Sequence, residues 1–94
     1  MEIVITEFTE NGVRDSDDMS SIRLVCRMKS GEKIVFWGSP EDGTRNIDAL
    51  KGQRLPCVVE IDPKDVIPSD YLKEKYGVTY KVSEHTWIQI NPER

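Results

Sequence analysis

The feature that most constrains this chain is the strict alternation across residues 21–29. Ile22, Leu24, Cys26 and Met28 fall on one phase, and Arg23, Val25, Arg27 and Lys29 on the other. A period of two sends successive side chains to opposite faces of a strand. Ser30-Gly31 signals a turn, and the strand pattern resumes from Lys33 to Gly38. The segment reads as a β-hairpin with one apolar face.

How its strands pair decides what the other face displays. A two-residue Ser30-Gly31 turn pairs Met28 with Lys33 and mixes apolar with charged residues. A three-residue Ser30-Gly31-Glu32 loop pairs Lys29 with Lys33, Met28 with Ile34 and Cys26 with Phe36. Turn chemistry favours the first, because Gly usually ends a three-residue loop. Burial favours the second, because a one-residue slip turns a whole strand over. Each buried apolar side chain is worth ~1.5–3 kcal/mol, against about 1 kcal/mol for a turn preference. The second register is expected. Its outer face carries Arg23, Arg27, Lys29, Lys33, Val35 and Trp37, together with Val25.

The remaining chain is read around this hairpin. Residues 2–8 are rich in β-branched and aromatic types and predict a first strand. Residues 9–20 are polar and acidic and predict a mobile loop, with Asn11-Gly12 as a turn. Ser39-Pro40 and Asp42-Gly43 break the β pattern, and Asn46 is placed to cap one or two helical turns that end at Gly52. Leu55, Cys57, Val59 and Ile61 share one face of a strand over 54–61. Pro63 and Pro68 bracket a loop. Ser69 as N-cap, Asp70 in the first turn and Gly77 as C′ residue predict a helix over 70–76. A final hairpin is expected from 78–82 and 86–90, joined near Ser83-Glu84-His85, with a polar tail from Asn91 to Arg94.

With 94 residues there is room for one domain, 1–94, that buries roughly 60–65% of its unfolded surface. The expected class is mainly β: a small, partly closed five- to six-stranded β-barrel with one or two short helices. The order of elements resembles an OB-fold: a first strand, a meander, a helical connection after the third strand, then later strands. The helix at 70–76 departs from that pattern. An SH3-like barrel and an α+β roll fit the same pattern. The resemblance implies a ligand surface on the exposed face of the second and third strands. The basic, Trp37-bearing hairpin face lies there.

A net charge of −4 argues against wholesale binding to nucleic acid or to an anionic membrane. No apolar run approaches the ~20 residues of a spanning helix, and no signal peptide or lipidation motif is read, so a cytoplasmic setting is expected. Cys26 and Cys57 fall on apolar phases and read as buried thiols rather than a disulfide. His85 is the sole histidine, so neither a metal site nor a triad is assembled, and no cofactor is expected. Asp15, Asp17 and Asp18 fail the calcium-loop pattern, because Met19 and Cys26 stand at its fifth and twelfth positions. Trp87 alternates away from Ile88 and Ile90 and reads as a half-buried packing residue. The expected function is a non-enzymatic module that docks on a protein partner. The alternative is OB-like binding of single-stranded nucleic acid through the outer hairpin face.

Overall fold

The computed structural model describes residues 1–9, 22–38, 45–83 and 86–92. The loop read over 9–20, the turns at Ser39-Pro40 and Asp42-Gly43, and Glu84, His85, Glu93 and Arg94 otherwise lie outside them; Thr9 alone of that loop is described, at the end of a strand. Along the chain the elements are β1 (Glu2–Thr9), β2 (Ile22–Met28), β3 (Lys33–Gly38), α1 (Arg45–Lys51), β4 (Cys57–Ile61), a 3-10 turn (Pro63–Asp65), β5 (Ile67–Pro68), α2 (Asp70–Tyr76), β6 (Val78–Ser83) and β7 (Ile88–Pro92). The strands form one mixed sheet in the order β5-β6-β3-β2-β1-β4-β7. Among the described strands only β3 and β6 run parallel. The stretch β4-β1-β2-β3 has the spatial order of a Greek key.

The β2–β3 hairpin satisfies both demands that the sequence seemed to set against each other. Arg27 pairs with Lys33, Cys26 with Ile34, Leu24 with Phe36 and Arg23 with Trp37. The loop is Lys29-Ser30-Gly31, not the expected Ser30-Gly31-Glu32. Gly31 donates its N–H to Met28 O at 2.9 Å, and Met28 N–H donates to Glu32 O at 2.8 Å. Gly31 takes the left-handed conformation with φ 93°, so Gly does end the loop. The register has slipped by two residues, which preserves the phase of every side chain. Lys29 leaves the ladder for the turn, and Glu32 leaves the turn to face Met28.

The inner face then builds the main core. Leu24, Cys26, Met28, Ile34 and Phe36 meet Ile3 and Ile5 of β1, Cys57, Val59 and Ile61 of β4, and Ile47 and Leu50 of α1. A bulge between Ile5 and Glu7 shifts the phase of β1, so Phe8 also packs inward. The outer face carries a second, smaller cluster in which Leu72 of α2 covers Val25, Val35 and Val78. Helix α2 has the ends its sequence signals. Ser69 Oγ accepts from Leu72 N–H at 3.3 Å, and Gly77 is left-handed with φ 72°.

The expected final hairpin does not form. β6 pairs with β3 and β5, whereas β7 pairs with β4 at the far edge. Five inter-strand steps would separate β6 from β7 by ~24 Å in a flat sheet. The chain from Ser83 to Ile88 reaches at most ~18 Å. The sheet therefore curls, and Tyr80 and Val82 from one side share a core with Ile88 and Ile90 from the other. It is not closed. Two smaller expectations also change. Asn46 lies inside α1 rather than capping it, and Asn91 and Pro92 belong to β7 rather than to a tail. No helix among the described residues is long and apolar enough to cross a membrane.

Candidate functional site

The outer face of the hairpin is divided by α2. Three cross-strand rows run along it: Arg27 with Lys33, Val25 with Val35, and Arg23 with Trp37. β6 extends all three, placing Val78 beside Lys33, Lys81 beside Val35 and Ser83 beside Trp37. The middle row is the covered one. Val35, grouped by sequence with the basic residues, is 2% exposed beneath Leu72. A β-branched pair on two neighbouring strands and an amphipathic helix with one inward Leu account for this burial.

At the turn end, Arg27 Nε lies 3.8 Å from Glu7 Oε1, with both side chains about half exposed. Such a pair contributes at most ~1 kcal/mol. Lys33 is half-buried, and Lys29 is exposed in the turn with its N–H donating to Val4 O at 2.8 Å. These three cations are not brought together with Trp37.

At the other end the sheet opens into a groove of about 310 Å³ lined by Trp37, Ile67, Lys81, Ser83, Thr86 and Trp87, with Asp65. Trp87 is 66% exposed, the highest among the described large hydrophobic residues, so it is not the half-buried packing residue expected. It also lines a second groove of about 390 Å³ with Arg45, Gln53, Ile88 and Ile90. The two grooves meet at this indole. Among the described residues their charged groups are Lys81 and Arg45 against Asp65. Asn46 Nδ2 donates to Thr86 O at 2.7 Å, and Thr86 N–H donates to Ser83 O at 3.1 Å. These bonds hold Thr86, the residue before Trp87.

Arg23, beside Trp37, is buried, and its Nε has no hydrogen-bond partner. Sequence reasoning missed Trp87, Lys81 and Arg45. The off-phase position of Trp87 was the available signal. Its meeting with Trp37 depends on the parallel β3–β6 pairing and the curl, which leave no local trace.

Both cysteines are free and buried. Burial, and then the neighbouring Cys57, push the Cys26 thiol up to about 12, and burial raises that of Cys57. Protonated thiols without solvent access are poor nucleophiles. No group of three or more potential metal ligands occurs among the described residues. Comparisons with family models, curated proteins and solved structures found no match for this chain.

Proposed function

We propose that this chain is a non-enzymatic binding module built on an OB-like, partly closed barrel, and that its open end takes single-stranded nucleic acid. The observation that carries the reading is the meeting of two indoles, Trp37 and Trp87, in one groove with Lys81. Aromatic rings stack bases for roughly 1–3 kcal/mol each while cations follow the backbone. The groove adjoins the outer face of the second and third strands, the surface that OB-folds commonly use. The Greek-key order and the helix after β3 support that resemblance. The two free thiols fit a reducing, cytoplasmic setting.

A protein partner docking in the same groove is the second reading. It is favoured by the exposure of Ile67 beside Trp87, since exposed Trp residues often centre interfaces. Titration with dT and mixed-sequence 12-mers, followed by tryptophan fluorescence, separates the two. The nucleic-acid reading expects affinity that falls steeply with salt and a loss above ~1 kcal/mol for Trp37→Ala and for Trp87→Ala. No binding at low salt would sink it. A protein captured by the wild type and lost with Trp87→Ala would then support the second.

A further inference from the structure

Arg23 and Arg27 stand on the same face of β2, two rows apart, in opposite circumstances. Arg27 is half exposed and paired with Glu7. Arg23 is 8% exposed, its Nε lacks a hydrogen-bond partner, and among the described residues no carboxylate forms an ion pair with it. Burying a guanidinium with an unsatisfied Nε costs folding free energy, and replacing a buried charged group by an apolar side chain is often neutral or stabilising. A chain that keeps such a group gains its compensation elsewhere.

Its position says where. Arg23 is the direct cross-strand partner of Trp37, and side chains so opposed lie about 5 Å apart at Cβ. Trp37 in turn lines the groove with Lys81. A planar fork of donors held beside a stacking ring suits a phosphate oxygen. We propose that Arg23 is the anion-binding residue of this site: it takes a backbone phosphodiester of the strand whose base stacks on Trp37. This rests on the single-strand reading above.

The test uses Arg23→Met and Arg23→Lys in the full chain, each measured for thermal midpoint without ligand and for binding of a dT 12-mer across a salt series. Arg23→Met is expected to hold or raise the midpoint, to weaken binding at least tenfold, and to reduce the salt slope by about one ion. Arg23→Lys is expected to keep the slope while weakening binding less. A lower midpoint for Arg23→Met with unchanged affinity and slope would make Arg23 a packing residue and overturn the proposal. If Arg23→Met fails to fold, an Arg23→Lys chain that binds as tightly as wild type overturns it, and weakened binding at an unchanged midpoint supports it. No binding by the wild type would instead fail the parent reading. An acidic Glu-Tyr copolymer peptide bound more tightly than the 12-mer, and lost with Arg23→Met, would overturn the phosphodiester in favour of a carboxylate.

Discussion

The two faces of the β2–β3 hairpin come from the same fifteen or so residues, and they have opposite economies. The inner face is continuous: Leu24, Cys26, Met28, Ile34 and Phe36 join one core that reaches from α1 to β6 on one side of the sheet and β7 on the other. The outer face is discontinuous. Its middle is a small cluster completed by Leu72 of α2, its turn end is solvated, and its open end keeps a buried Arg23, whose Nε lacks a hydrogen-bond partner, beside Trp37. The difference teaches that basic alternation on a strand does not make a binding track. One helix over the middle row confines the interesting chemistry to a single end.

Truncations should reproduce this inequality. Phe36→Ala empties the centre of the inner core, where Phe36 is 1% exposed, and should cost about 3–5 kcal/mol in urea unfolding. Leu72→Ala is as deeply buried but touches only the small outer cluster. It should fall at the lower end of about 2–5 kcal/mol, with hydrogen-exchange protection lost first in α2. Equal costs and uniform loss of protection would break the distinction between the faces. Trp87→Ala should change stability by no more than about 0.5 kcal/mol, as for an exposed residue outside the core.

Alkaline pH addresses the inner face through its buried thiols. The Cys26 thiol is raised from its ordinary 9.0 to about 12, so the unfolded chain loses that proton first. The stability held by the protonated thiol is complete below pH 9 and is lost as pH climbs towards 12. By pH 11 the loss should be about 2–3 kcal/mol. Cys26→Ala should flatten this slope, whatever it costs at neutral pH. An unchanged slope would mean that the thiol is accessible to water. This effect ranks below Phe36→Ala and above Trp87→Ala.

Local chemistry was legible in the sequence wherever it was self-contained. Ser69, Asp70 and Gly77 mark α2 to the residue, and alternation assigns the inner faces of β2, β3 and β4. Gly31 also announced its loop, but the apparent choice between turn and burial concealed a register that satisfies both. Non-local pairing was not legible. Nothing in 78–90 distinguishes a hairpin from two strands sent to opposite sides of a curled sheet, because each alternates correctly either way. The two-residue β5 has too few residues to show a period. The site inherits this limit: Arg23 and Trp37 were read from their strands, whereas Trp87 joined Trp37 in one groove through topology.

The most direct test of the account is where ligand touches the outer face. In a ¹⁵N-labelled sample, the indole N–H resonances of Trp37 and Trp87 are resolved probes of the open end. Addition of a dT 12-mer at low salt should shift both indoles together with the Lys81 and Ser83 amides, and leave Arg27 and Lys33 in place. Shifts confined to Arg27, Lys29 and Lys33, with both indoles unmoved, would contradict it.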